Sequence, residues 1–165
     1  MTDIGMQMTD IVKQIDILNQ IGMMLKTEFK STVYSDEILE DFAKPCFFIK
    51  CLCTNIPQTK NITKKRLSII TTYFPRNADK NEIHYADVMD RLQTLFQRGI
   101  PVKKRYLHLN EFLIDRVGEE QDIIQTTIRL DYLERIIRPH KHHEIMEDMQ
   151  LKMRINEGEK AIWQS

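Results

Sequence analysis

Apolar residues recur at Met8, Ile11, Ile15, Leu18, Ile21, Leu25 and Phe29, in steps of three and four. That spacing collects them on one helical face and predicts an amphipathic helix over Thr9–Phe29, with Thr9 or Asp10 as its cap. Helical spacing returns at Tyr85, Val88, Met89, Leu92, Leu95, Phe96 and Gly99 and predicts a second helix over Ile83–Arg98. Gly99 stands where a left-handed residue ends a helix, and Pro101 bars resumption.

Elsewhere the rhythm is that of strands. Thr32–Tyr34 reads as a short edge strand and Asp36–Phe42 as a turn. Pro45 blocks helix and holds Lys44 extended. Cys46–Thr54 is dense in apolar residues and too short for a typical helix, which favours a strand. Asn55–Lys65 is polar, contains Pro57 and reads as a long hairpin loop. Arg66–Phe74 is rich in β-branched and aromatic residues and ends at Pro75. Lys103–Val117 and Asp122–Tyr132 form a further pair of extended segments around the turn VGEEQD. In the second of these, Ile124, Thr126, Ile128, Leu130 and Tyr132 alternate with polar residues, so one face is buried and one wet. The first changes parity between Leu107/Leu109 and Phe112/Ile114, which a bulge near Asn110 would reconcile.

The order is α-β-β-α-β-β. It predicts an α+β domain over 1–137, with a four-stranded, mostly antiparallel sheet and two helices on one face. The stretch RPHKHH, Arg138–His143, breaks the composition. Beyond it Ile145, Met149 and Met153 mark a weaker amphipathic helix over Glu144–Asn156. Residues 138–165 are therefore expected to be a C-terminal extension, partly helical or flexible. MTDI at Met1–Ile4 recurs at Met8–Ile11, which leaves Met1 and Met8 as alternative starts.

The 165 residues suit one domain with its own core, and 42% hydrophobic with 29% charged residues is a globular composition. No apolar run reaches the roughly 20 residues of a membrane span. The first residues lack a signal peptide's basic and apolar regions. With an odd count of three cysteines, that suggests a reducing cytoplasm and free thiols. Twenty-four basic residues balance 24 acidic ones, which disfavours non-specific nucleic-acid binding and fits self-association.

Candidate chemistry is sparse. Cys46, Cys51 and Cys53 crowd into KPCFFIKCLC, Lys44–Cys53. On a strand, Cys51 and Cys53 share a face with Cα atoms roughly 6.6 Å apart. Cys46 takes the other face, so three sulfurs cannot share one zinc. Buried structural thiols are the simpler reading. The cluster HKHHE presents His140, His142 and His143, either as metal ligands or as a solvated basic linker; HEIME fails the H-E-x-x-H motif at Glu147. Lys60, Lys64, Lys65 and Arg66 lack the interleaved aromatics of a single-strand binder. They read as a solvated hairpin tip or an interaction surface. Met8, Met23 and Met24 read as core filler. Nucleophile elbows and glycine-rich phosphate loops are absent from the sequence.

Several features keep a particular order. An amphipathic helix leads to the strand PCFFI at Pro45–Ile49. A polar hairpin follows, then a strand ending YFP at Tyr73–Pro75, a helix ending LFQRGIP and a terminal β-hairpin. In this order the chain, over about Met8–Ile137, resembles the phage tail terminator (tail completion) proteins of Gram-positive phages, prophages and tail-like bacteriocins. The resemblance implies a subunit of a hexameric ring that caps the head-proximal end of the tail tube. Such a ring stops tube growth and offers a surface to a collar or head, and to the last sheath layer in contractile tails. It implies no catalytic residue and no cofactor. The implied partners are copies of the chain, the tube protein, and sheath, collar or head–tail connector proteins, with no membrane and no specific nucleic acid. The implied location is the bacterial cytoplasm during assembly and then the particle. The extension after Arg138 has no counterpart in that pattern. The alternative reading is a small ligand-binding or regulatory α+β domain without catalysis. A metal enzyme built on the histidines and an RNA-binding adaptor are further alternatives.

Overall fold

The computed structural model describes residues 11–35 and 42–136. Helix α1 spans Gln14–Phe29. Asp16 lies in its first turn and accepts a hydrogen bond from the Lys13 N–H at 2.9 Å, which ties down the helix start. The expected caps Thr9 and Asp10 lie outside the described residues, as does Met8. Lys30 ends the helix in the left-handed region at φ 51°, its N–H bonded to the Lys26 carbonyl. The buried stripe is Ile17, Ile21 and Leu25. Ile15, expected on that stripe, faces solvent, and so does Met23. Steps of four from Ile17 track the face against the sheet, and Ile15 falls about 200° away from Ile17.

Helix α2 spans Glu82–Leu95. Asn81 caps it, accepting from the His84 N–H at 2.8 Å. Tyr85, Val88 and Leu92 are buried, in the expected register. The two helices are joined by Arg91, which donates to the Glu28 carboxylate at 2.8 Å and to the Glu28 carbonyl, and lies over the Phe29 ring.

Seven strands follow in chain order: β1 (Thr32–Tyr34), β2 (Cys46–Pro57), β3 (Ile62–Phe74), β4 (Gly99–Val102), β5 (Arg105–His108), β6 (Glu111–Val117) and β7 (Ile123–Arg135). The main sheet is five-stranded, in the order β1-β2-β3-β7-β6, and β4 and β5 form a separate two-stranded hairpin. This corrects the four-stranded expectation twice. The edge strand β1 joins the sheet, parallel to β2. The segment Lys103–Val117 is two strands in different sheets, and the parity change near Asn110 marks that break rather than a bulge.

Gly99 is corrected too. It starts β4 and is not left-handed. A Cβ there would lie 2.3 Å from the Leu107 carbonyl oxygen, so its role is close approach of β4 to β5. The chain turns at Lys103, at φ 53°, without the glycine or asparagine that would announce a turn.

The long loop expected at Asn55–Lys65 is mostly strand. Pairing runs out to Pro57 opposite Thr63, leaving only residues 58–61 as a turn. The β6–β7 hairpin is as expected, with Gly118 at φ 94° in its turn.

One sheet face carries the core. Phe47, Ile49, Leu67, Ile69, Tyr73, Ile124, Ile128, Leu130 and Tyr132 are buried there beneath both helices. The alternation expected for β7 holds, and the buried Thr71 and Thr126 hydroxyls on the same face bond each other. A polar clasp fixes the chain entering α1. Glu134, at the end of β7, accepts from the Val12 N–H at 3.1 Å and from Arg105 Nη1 at 3.0 Å. Lys103 Nζ donates to the Ile11 carbonyl at 2.9 Å and pairs with Asp16 at 2.7 Å.

Candidate interaction surface

The cysteines sit as parity requires. Cys51 and Cys53 lie half-buried on the core face of β2, Cys46 is buried with the opposite parity, and all three thiols are free. Burial pushes the Cys51 thiol up to about 11 and raises that of Cys46. A thiol near 11 holds about a hundredfold less thiolate at pH 8 than one near 9. Native protein treated with iodoacetamide at pH 8 should therefore be alkylated at Cys51 about tenfold more slowly than unfolded protein, because the more basic thiolate is also more nucleophilic, as read by peptide mass spectrometry. Among the described residues, no cluster of three or more His, Cys, Asp or Glu side chains could hold a metal.

The basic residues expected at one hairpin tip are dispersed. Lys60 is in the four-residue turn. Lys64 lies on β3 with its Nζ 2.8 Å from Asp131, on the face away from the helices. Lys65 has the opposite parity and lies over the Tyr132 ring. His140, His142 and His143 lie outside the described residues, together with the helix expected at Glu144–Asn156, the boundary at 137/138 and the turn residues 36–41.

The residues that stand out were not singled out by sequence pattern. The face of the main sheet opposite the helices has no described element over it. It exposes Leu52 at 53%, Leu113 at 47%, Leu133 at 55% and Ile62 at 37%. Phe48 packs on Tyr34, Phe42 and Phe74 at one corner of it. Between these lie mixed charges: Asp131 bridges Lys64 and Arg66, and Arg129 pairs with Glu111. Register along β2, β3, β6 and β7 puts these positions on one outward face. Their exposure depends on nothing packing there, which alternation cannot show. The surface also ends in two dissimilar edges, the three-residue β1 and the seven-residue β6. Edge strands present unpaired N–H and C=O groups to a partner.

Hydrogen bonds from lysines hold several of the carboxylates below their usual range: Lys64 acts on Asp131, Lys103 on Asp16 and Lys80 on Asp122. Their folded values lie below the unfolded ones. The stability they contribute is complete above the unfolded carboxylate range and is lost as pH falls through the folded values. The melting temperature should hold between pH 7 and about 5 and decline below about pH 4. A rise on acidification would contradict these pairings.

A family model described as phage tail terminator protein matches residues 16–142. The chain belongs to the phage tail terminator family. As a member it is a structural protein of phage tails, the role implied by the ordered motifs from PCFFI to LFQRGIP. No curated protein matches the sequence. One solved structure with a similar chain is described as the virion of a native gene transfer agent particle. The similarity is 10% in identity and 0.44 in TM-score, over 65% of this chain and 81% of the other. No described helix of this terminator is long and apolar enough to cross a membrane.

Proposed function

We propose that the chain forms a closed ring on the head-proximal end of a phage or phage-like tail tube. There it ends tube growth and provides the attachment surface for a collar or head, and for the sheath where the tail contracts. The family match over residues 16–142 carries this reading. The sheet supports it physically. Rings are built from heterologous contacts, in which one patch meets a different patch of the next copy. A sheet with two unlike edges, β1 and β6 on opposite sides, offers such a pair of patches. Six copies is the number that the family resemblance implies. A net charge of zero places little general repulsion in the way of self-association. Light scattering on purified protein, alone and with tube protein, should give a discrete mass several times that of the 19.7 kDa chain. A strict monomer under both conditions at high concentration would overturn the ring.

A further inference from the structure

The β6 edge of the main sheet carries a stop of its own. Register sets Arg116 opposite Ile124 of β7. The Arg116 N–H nevertheless donates to the Asp115 carboxylate at 2.8 Å, so it points away from β7. Backbone groups alternate sides along an antiparallel strand. Ile114 and Phe112, two and four residues back, therefore turn their N–H and C=O groups to the same open side. Among the described residues no further strand pairs there. One edge amide is thus filled by a neighbouring side chain, and the stretch before it is open.

The opposite edge, β1, matches that stretch in direction, face and length. Strand β1 runs parallel to β2, and three antiparallel pairings lead from β2 through β3 and β7 to β6. Strands β1 and β6 therefore run in opposite senses. Where copies related by rotation about a ring axis join edge to edge, β1 of one copy meets β6 of the next antiparallel, the commoner pairing. A continuous sheet also requires like faces to meet. Tyr34 lies on the outer face beside Phe48, and Leu113 is exposed on that face. Val33 and Ile114 pack against the core on the other face. Setting Tyr34 opposite Leu113 sets Val33 opposite Ile114, an apolar pair on each face, and Thr32 opposite Asp115. Ser31 would come next, opposite Arg116. There the three-residue β1 has already ended and the amide is already taken.

We propose that the ring closes through this joint. Thr32–Tyr34 of one copy pairs antiparallel with Leu113–Asp115 of the next. Asp115, by holding the Arg116 amide, ends the pairing and fixes its register. The inference rests on the ring reading and adds which surfaces meet.

Photocrosslinking tests the joint. p-Benzoyl-phenylalanine replaces Leu113 in equal mixtures of 14N- and 15N-labelled full chain, alone and with tube protein. Crosslinks are expected to the peptide that contains Thr32–Tyr34, in unlike as well as like isotope pairs. Asp115→Ala frees the Arg116 amide for a partner and should lower severalfold the concentration at which assemblies form. Asp115→Asn keeps a side-chain acceptor and should stay near the unaltered chain. Both positions are exposed, so these variants keep the fold. An assembled ring whose crosslinks fall elsewhere, or only between like isotopes, would overturn the joint and leave the ring standing. Asp115→Ala indistinguishable from Asp115→Asn would overturn the stop. A chain that stays monomeric in both settings would overturn the ring and the joint with it.

Discussion

Leu92→Ala is expected to destabilise the protein by about 2–5 kcal/mol, the range of buried leucine truncations. Leu92 is fully buried in α2, on the stripe with Tyr85 and Val88 that packs into the single core. Truncation removes apolar area from that core and leaves a space that neighbours fixed in helix and sheet cannot close. For a domain of this size the loss corresponds to a fall in melting temperature on the order of 10 °C. The exposed Lys60→Ala in the β2–β3 turn should change it little. Equal melting temperatures for the two variants would mean that α2 does not bury this face.

Glu134→Ala is the second large effect, expected at about 2–4 kcal/mol. The Glu134 side chain is 7% exposed and accepts from three donors, the buried Val12 N–H, the Arg105 guanidinium and, more weakly, the Arg135 N–H. Alanine leaves the Val12 amide without its partner and the guanidinium without its counter-charge. Arg105 is about one-third exposed and keeps its bond to the Leu133 carbonyl, which holds the cost below that of a fully buried pair. Glu134→Gln keeps an acceptor and should cost less. The loss is local in its first effect. Hydrogen exchange at Val12 should accelerate in Glu134→Ala more than exchange in the centre of β3. Unchanged protection at Val12 would show that the clasp does not hold the entry to α1.

The clasp also shows why sequence pattern reaches some of this fold and not the rest. Periodicity reports one element at a time. It places α2, whose stripe is dictated by a single core, and β7, whose residues alternate cleanly. It separates Cys46 from Cys51 and Cys53 because parity is a local property of a strand. Contacts between distant segments leave weaker marks. Gly99 and Pro101 have the composition of a helix stop. The glycine answers instead to the Leu107 carbonyl eight residues on, and only the paired hairpin reveals that. Lys103 turns the chain without a turn residue. The lysines of Asn55–Lys65 read as loop because polar residues are depleted in ordinary strands. Here residues 55–57 and 62–65 extend β2 and β3 as a long paired arm, with Lys64 and Lys65 on β3, and β7 pairs with β3 out to Ile62 opposite Arg135. Alternation over Asp122–Tyr132 marks one face of that strand as wet, and only the fold shows that no described element covers Leu52 and Leu133.

The family match makes the chain a structural protein of phage tails, and the proposal that it ends a tail tube is the central claim to test. Electron microscopy of growing tubes tests it most directly. Purified chain carrying a gold label is added to polymerising tube protein, and the ends of the tubes are scored. The account predicts label at one end only, as a ring-shaped cap, and shorter tubes as more chain is added. Label scattered along the tube walls, or tubes that grow to full length whatever the amount of chain, would contradict it.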